Sequence, residues 1–319
     1  MATTLEHAFP FDPCYGYDLD GLLAVVPPEP PPGFAGFWAR RYDRALDVDT
    51  NPKVSPGHQR HRHFRIFDLR YRSTEGFPTR GWLLTPRSGA QRMGLVLGHG
   101  YGGIQAPDTD LPFRDAVYLI PCFRGLGCSR DPRIPSDPSA HVLHEVLDPD
   151  RYVIGGCVED LWTGVSALLR LVPRLAGHIG YMGTSLGGGI GALALPWDAR
   201  IARGHLCLPT FGHQPLRLAL PTLGSAAALQ VFSREHPDVL DALALYDAAC
   251  AARLIRQPMH VAAALFDPAV APPGQFAVYN AIPPPKQLFV LRAGHCDYPG
   301  QTREHQRLRK DLRAFFRDL

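Results

Sequence analysis

The chain has 319 residues, of which 45% are hydrophobic and 20% are charged, and its formal net charge is +3. This length and composition are sufficient for a large core, so we expect one α/β domain with insertions over residues 1–319. The arginines are scattered, and we interpret the Arg- and His-rich residues 58–65 as solvated surface or interface, with an anion contact as the alternative and no nucleic-acid partner. No apolar run approaches about 18 residues, so we expect no membrane span.

Cysteine usage and the amino terminus bear on the cellular compartment. The seven cysteines are widely spread and include no C-x-x-C pair, which favours free thiols in a reducing compartment. Residues 1–7 lack the basic and apolar regions of a secretory signal. Together these features predict a cytoplasmic protein.

The first 60 residues are rich in proline and aromatic side chains. A proline run at 27–32 is incompatible with regular structure, and residues 39–46 have a helical pattern. We therefore predict an N-terminal arm over residues 1–60 with one helix, packed on the main domain. A proline-rich ligand for an adaptor domain is the alternative.

The next segments alternate or cluster as β-strands. Residues 64–71 and 79–85 predict an antiparallel pair around a turn at Gly76. Residues 93–97 and 116–120 are short and apolar, as expected of buried parallel strands. The first of these leads into the glycine-rich run His99-Gly-Tyr101-Gly-Gly.

The middle of the chain predicts a loop, a long helix and a tight turn. Residues 121–129 follow the strand at 116–120. The irregular, proline-rich stretch from there to Pro149 is expected at the surface, and residues 152–171 read as an amphipathic helix. The strand-like residues 178–182 then meet Gly183-Thr-Ser185-Leu-Gly187, which a small-residue helix follows. A G-x-S-x-G sequence between strand and helix indicates a nucleophile elbow. The alternative is a tight glycine turn in a Rossmann-like crossover.

Beyond this turn, two more strands deliver chemically active side chains. Residues 201–208 predict a strand, and residues 213–253 are helical with proline breaks, which indicates a helical cap over the carboxyl edge of the sheet. The strand at 259–266 ends at Asp267, and the strand at 288–291 ends shortly before His295. An amphipathic helix at 302–319 closes the chain.

Ser185, Asp267 and His295 each follow a predicted strand, so all three are expected at the carboxyl edge of the sheet. Their order is that of the α/β-hydrolase arrangement, in which the histidine activates the serine and the carboxylate orients the histidine. The backbone N–H groups of Leu186 and Tyr101 are the candidate oxyanion donors, although a generic βα turn remains the alternative at Tyr101. The sequence also offers alternatives that are less favoured than Asp267 and His295. These are Asp247, Asp297 and Asp311 as the acid, His205, His213 and His260 as the base, and Cys296 as a second nucleophile.

No spacing of His, Cys, Asp or Glu suggests a zinc site, and H-E-x-x-H is absent from the sequence. We therefore predict an α/β-hydrolase fold with a mostly parallel sheet, an N-terminal arm and a helical cap, working without metal or cofactor.

Several segments, in order along nearly the whole chain, resemble the acetyl xylan esterase/cephalosporin C deacetylase family (carbohydrate esterase family seven). The most specific are the proline pair after Asp267 and the Ala-Val-Tyr-Asn run at 277–280. The resemblance implies deacetylation of small molecules such as acetylated xylo-oligosaccharides or cephalosporin C, and it implies the same triad and oxyanion donors. It also implies an intracellular homo-oligomer, often a hexamer. The matching segments are residues 34–38, 81–84, 99–103, 124–127, 183–189, 265–273, 276–280 and 294–295.

Three positions depart from the family pattern. Leu186 stands where glutamine is usual, Cys122 where aspartate is usual, and Cys296 where a carboxylate is common. Because the expected oxyanion donor is a backbone group, the reaction is expected to survive these changes. The substrate is less well determined, and another ester is an open alternative, as are a prolyl-oligopeptidase-like peptidase and a catalytically silent binding or scaffold protein.

Overall fold

A mostly parallel sheet forms the centre of the computed structural model, which describes residues 5–89 and 91–319. Within these residues the sheet has nine strands in the order β1-β2-β3-β5-β4-β6-β7-β8-β9. The pairs β1/β2, β2/β3 and β3/β5 are antiparallel, and every pair from β5/β4 to β8/β9 is parallel. The strands are β1 Lys53–Pro56, β2 Phe64–Arg72, β3 Pro78–Pro86, β4 Gly94–Gly98, β5 Val117–Pro121, β6 Ile179–Thr184, β7 Ile201–Cys207, β8 Met259–Ala264 and β9 Lys286–Leu291.

Helices cover both faces of this sheet unequally. One face buries a large core against α4, α5, α9 and α10, and α2 packs on the outside of α4. The other face packs chiefly against Leu308, Leu312 and Phe315 of α11. The helices are α1 Leu19–Leu23, α2 Phe34–Leu46, α3 Pro138–His141, α4 Val153–Leu171, α5 Leu186–Ala194, α6 Gln214–Ala219, α7 Ala226–Glu235, α8 Val239–Ala244, α9 Ala248–Ala252, α10 Pro272–Ala281 and α11 Gln301–Phe315.

The strand predictions agree with this architecture. The antiparallel pair β2/β3, the buried parallel strands and the turn at Thr74–Gly76 lie where the alternation of side chains placed them. Residues 213–253 contain the four short helices α6 to α9. Helix α4 is buried on nearly every side rather than amphipathic, because α2 and α5 cover it in addition to the sheet.

Two sequence-based expectations for the loops were wrong. The arm contains two helices and the edge strand β1, and α2 begins at Phe34, five residues before the predicted start, because Gly33 takes a left-handed conformation (φ 80°) that ends the proline run. The stretch from residue 130 to residue 149 is not confined to the surface, because His141, Val142 and Val146 are buried.

The proline run itself lies on α9. The guanidinium of Arg253 donates to the carbonyl oxygens of Pro27 and Pro28 at 2.8 and 3.2 Å. No helix in the described residues is both long and apolar enough to cross a bilayer. All seven cysteines are free of disulfide bonds.

Candidate active site

Ser185 lies in the turn between β6 and α5, with φ 55° and ψ −113°, a combination that non-glycine residues rarely adopt. A Cβ atom at Gly183 would overlap the Gly187 carbonyl, and one at Gly187 would overlap the Gly98 carbonyl. Both flanking glycines are therefore required for β6, α5 and the end of β4 to approach one another. This strained turn raises the serine hydroxyl above the carboxyl edge of the sheet.

The three predicted polar side chains form one hydrogen-bonded chain. His295 Nε2 lies 2.9 Å from Ser185 Oγ, and His295 Nδ1 lies 2.7 Å from Asp267 Oδ2. The carboxylate is fully buried, whereas the imidazole is 24% exposed. Since the carboxylate can only accept, Nδ1 carries the proton and Nε2 is free to accept the proton of the serine hydroxyl.

Burial and charge act in opposite directions on the pKa of His295. Burial lowers it, but the hydrogen bond and the charge of Asp267 together outweigh burial and raise the pKa above its ordinary value. The imidazole is therefore a stronger base than a free histidine. For the same reason, as the pH falls it becomes protonated, and unable to accept the serine proton, at a higher pH than a free histidine does.

Three further donors fix the Asp267 carboxylate. Oδ1 accepts the backbone N–H groups of Ala269 and Val270, each at 2.9 Å, and Oδ2 accepts from Gln275 Nε2 at 2.9 Å. The amide of Gln275 is fully buried, and it also accepts the Ala264 N–H at the end of β8. The carboxylate is thereby held in one orientation with its remaining lone pairs directed at His295.

Two other segments shape the same loop. A Cβ atom at Gly294 would overlap Asp267 Oδ2, so the residue before His295 must be glycine for the carboxylate to approach. From the N-terminal arm, the Pro13 carbonyl accepts the Asp267 N–H at 3.1 Å, and Tyr15 Oη donates to the Pro221 carbonyl at 2.8 Å. The arm thus connects the loop that carries Asp267 with the cap.

The backbone N–H groups of Tyr101 and Leu186 lie beside the serine. Leu186 is the first residue of α5, and neither N–H has a protein acceptor within residues 5–89 and 91–319. The loop that contains Tyr101 is seated on the elbow, because the His99 carbonyl accepts the Gly187 N–H at 2.9 Å and a Cβ atom on Gly100 would lie 3.7 Å from Ser185 Cβ. Two uncommitted donors, one of them at the N-terminus of α5, suit a developing oxyanion.

The His99 side chain fixes the conformation of this loop. Its Nε2 accepts the Phe123 N–H at 3.0 Å, so its Nδ1 carries the proton that is donated to the Gly100 carbonyl at 2.7 Å. Burial lowers the pKa of His99, which keeps this tautomer neutral. His99 is therefore a structural neighbour of the site rather than a base in it.

A cavity of about 520 Å³ opens onto Ser185 and His295. Its walls combine the elbow, the loop at Gly100–Gly102, the segment after Asp267 and the cap. The cap contributes side chains of α6 and the stretch leading into α7, namely Leu216, Arg217, Leu220, Thr222, Leu223, Ser225 and Ala226. The predicted cap therefore does form one side of the candidate pocket.

The other acids and bases weighed from the sequence lie elsewhere. Asp247 caps α9, and His213 caps α6. His205 and His260 face each other in β7 and β8, with their Nδ1 atoms 3.0 Å apart. Asp297 and Asp311 make none of the hydrogen bonds to His295, and Cys296 packs against a small cluster with Phe266 and Tyr298.

Sequence reasoning missed Gln275, Gly294, His99 and the arm residues Pro13 and Tyr15. A signal existed only for Gln275, which follows the proline pair after Asp267 at the start of a helix, and for Gly294, which directly precedes the histidine. Pro13 and Tyr15 lie more than 250 residues from Asp267 in sequence, so only the tertiary structure brings them to it.

The sheet topology, the elbow and the hydrogen-bonded chain define the α/β-hydrolase class of protein. The family model described as acetyl xylan esterase (AXE1) matches residues 25–311. The chain belongs to this family, and it is accordingly a serine carboxylic ester hydrolase.

Solved structures share the fold at low sequence identity. The acetyl xylan esterase from Paenibacillus sp. R4 superposes with a TM-score of 0.79 at 22% identity, over 92% of this chain and 99% of that one. Acetyl xylan esterase 1 from Thermoanaerobacterium sp. JW/SL YS485 gives 0.78 at 19% identity, over 95% and 99%. The acylaminoacyl peptidase of Pyrococcus horikoshii gives 0.62 at 16% identity, but the match spans only 42% of that longer chain.

Proposed function

We propose that the protein removes acetyl groups from small esters through a triad of Ser185, His295 and Asp267. The observation that carries this proposal is the continuous chain from Ser185 Oγ through His295 to Asp267, at 2.9 and 2.7 Å. A serine hydroxyl is a weak nucleophile until a neighbouring base removes its proton, and this chain supplies that base in the required tautomer.

The reaction has two halves. Ser185 Oγ attacks the ester carbonyl carbon while His295 Nε2 takes the hydroxyl proton, and the tetrahedral oxyanion is held by the N–H groups of Tyr101 and Leu186. The imidazolium then returns the proton to the departing alcohol, which leaves an acetyl-serine. Water, deprotonated by His295, attacks this intermediate and releases acetate.

Membership of the acetyl xylan esterase family supports the acetyl group as the acyl part. Acetylated xylo-oligosaccharides are the first candidates for the alcohol part, and cephalosporin C is the second. A backbone oxyanion donor at position 186 is compatible with leucine there, so we expect the departures from the family pattern to alter the alcohol preference more than the reaction. We further propose that the protein is cytoplasmic and forms a homo-oligomer. Sedimentation velocity can test the oligomeric state.

The decisive experiment compares wild type, Ser185→Ala and the distant surface variant Ser55→Ala on nitrophenyl acetate, butyrate and octanoate. We expect acetate to be preferred by wild type and Ser55→Ala, and kcat to fall about 10⁴- to 10⁶-fold in Ser185→Ala. Full activity of Ser185→Ala would overturn the assignment of the nucleophile, and a preference for octanoate would overturn the acetyl assignment.

Two further assays address the alternative functions, a prolyl-oligopeptidase-like peptidase and a catalytically silent binding or scaffold protein. Cleavage of an aminoacyl-prolyl chromogenic peptide would indicate a peptidase. A folded preparation that neither turns over acetate esters nor reacts with a fluorophosphonate would indicate a silent binding protein.

A further inference from the structure

The candidate pocket contains a cation whose charge no carboxylate neutralises directly. Arg217 projects from α6 into the cavity that also contains Ser185 and His295. Within residues 5–89 and 91–319, no Asp or Glu oxygen lies within 4.0 Å of its guanidinium. The Arg217 side chain is half-buried, and holding a charge in a partly enclosed site without an ionic partner costs free energy, so such a group is expected to have a use.

The protein contacts of Arg217 are weak and leave donors free. Nη1 donates to Gln214 Oε1 at 3.2 Å, Nη2 donates to Ser225 Oγ at 3.4 Å, and the guanidinium carbon lies 5.0 Å from the centre of the Phe211 ring. A guanidinium has five N–H donors, and none of the Arg217 nitrogens is among the buried, unpartnered polar atoms of the described residues. Nε makes no hydrogen bond within the described residues and is not fully buried, so at least this N–H is available to a bound molecule.

The nearest buried carboxylate is already satisfied. Asp247 acts on Arg217 through its charge, but its two oxygens accept the backbone N–H groups of His213, Gln214, Ala249 and Cys250. The pocket itself contains one other carboxylate, Asp137, whose Oδ1 accepts two backbone N–H groups at the start of α3. Neither carboxylate accepts a hydrogen bond from the Arg217 guanidinium.

A second positive feature lies beside the guanidinium. Helix α7 begins at Ala226, and Ser225, Ala226 and Gly224 line the cavity, so the positive end of this ten-residue helix faces the same space. The Ser225 side chain does not cap the helix, since its oxygen accepts from Arg217 instead. Guanidinium and helix end together favour an anion.

We propose that Arg217 is the anion-binding group of the pocket, and that the preferred substrates are acetyl esters whose alcohol part bears a carboxylate. This rests on the proposed function, because an acetyl group has no place for a negative charge and the anion must then belong to the alcohol. The cavity contains one positive guanidinium and the negative carboxylate of Asp137. A monoanion is therefore expected to bind there more favourably than a dianion such as a phosphate monoester.

The test uses three aryl acetates of nearly the same shape: 4-acetoxybenzoate, its neutral amide 4-acetoxybenzamide, and the cationic (4-acetoxybenzyl)trimethylammonium. For wild type, we expect the carboxylate ester to have a higher kcat/KM than the amide, mainly through a lower KM. Arg217→Gln should lower the ratio of kcat/KM for the carboxylate ester to kcat/KM for the amide by about ten- to a hundredfold.

Matched variants separate charge from packing. Arg217→Lys should retain part of the preference, and Arg217→Glu should shift it toward the trimethylammonium ester. Arg234→Gln removes a positive charge from an exposed position on α7, and it should leave the ratio of kcat/KM values for the three esters as in wild type. Equal kcat/KM for carboxylate and amide in wild type, or an equal loss on both esters in Arg217→Gln, would overturn the proposal.

Binding of the products decides the matter independently of turnover. By calorimetry, wild type and Ser185→Ala should bind 4-hydroxybenzoate more tightly than 4-hydroxybenzamide, and Arg217→Gln should not. If none of the esters is hydrolysed but this difference in binding persists, the esterase proposal fails while the anion site stands. If esters are hydrolysed without a difference in binding, the anion site fails alone.

Discussion

His295 receives opposite contributions to its pKa from its burial and from the Asp267 carboxylate, and the contribution of Asp267 is the larger. Because the imidazole must be neutral to accept the Ser185 proton, kcat/KM should fall as the pH drops through this pKa, with a midpoint above the ordinary value of about 6.5. Asp267→Asn leaves the burial and removes the charge, so the midpoint should move below 6.5.

Histidine-labelled NMR can measure this midpoint without turnover, with the signal assigned by its loss in His295→Gln. The signal of His178, which is exposed and lies at the opposite end of β6 from the elbow, serves as the internal reference. A His295 midpoint at or below 6.5 in wild type would mean that Asp267 does not outweigh burial, and an equal midpoint in Asp267→Asn would mean that Asp267 does not stabilise the imidazolium.

At the scale of elements, the N-terminal arm completes the loop that carries Asp267. Pro13 accepts the Asp267 N–H, Tyr15 reaches Pro221 of the cap, and the ring of Phe9 lies 6.0 Å from that of Phe266. Deletion of residues 1–16 should therefore lower kcat/KM about ten- to a hundredfold, since it removes hydrogen bonds and apolar contact behind the carboxylate.

The measurement combines steady-state kinetics with hydrogen exchange of the peptide that contains Asp267, which should become less protected. Val26→Ser changes a residue that is 76% exposed in the same N-terminal region, and it should behave as wild type. Unchanged kinetics and unchanged hydrogen exchange in the deletion variant would show that the arm does not support the loop that carries Asp267.

At the scale of the whole molecule, a buried ion pair joins distant segments. The Arg124 guanidinium and backbone bond both oxygens of Asp160 in α4, and Nη2 also reaches Ser73 and Thr74 in the turn after β2. Asp160 is fully buried. Without Asp160, the buried Arg124 charge keeps only the more distant carboxylates of Glu75 and Glu159, each at 4.0 Å, so Asp160→Asn should lower the free energy of unfolding by about 3–5 kcal/mol.

Urea unfolding can measure this loss. Asp131→Asn is the matched control, because it breaks a similar 2.8 Å pair with Arg133, whose side chain is 79% exposed, and it should leave stability unchanged. Equal effects of the two substitutions would show that burial does not strengthen the Arg124–Asp160 pair.

The sequence by itself determined the fold class, the strand positions and the three residues of the hydrogen-bonded chain. These features have local signatures: side-chain alternation, the glycines that a tight strand-to-helix turn requires, and polar residues directly after apolar strands. Ser185, Asp267 and His295 could be placed together because parallel strands end at one edge of a sheet, wherever they lie in the sequence.

Only the tertiary structure decided what surrounds those residues. The hydrogen bond from the Asp267 N–H to Pro13 and the burial of His141 join segments far apart in the chain, and neither has a periodic signature in the sequence. The unpaired charge of Arg217 is likewise invisible in a sequence, because whether a charge has a partner depends on distances in three dimensions. Local steric and hydrophobic rules fix the elements, whereas long-range packing and electrostatics fix the pocket.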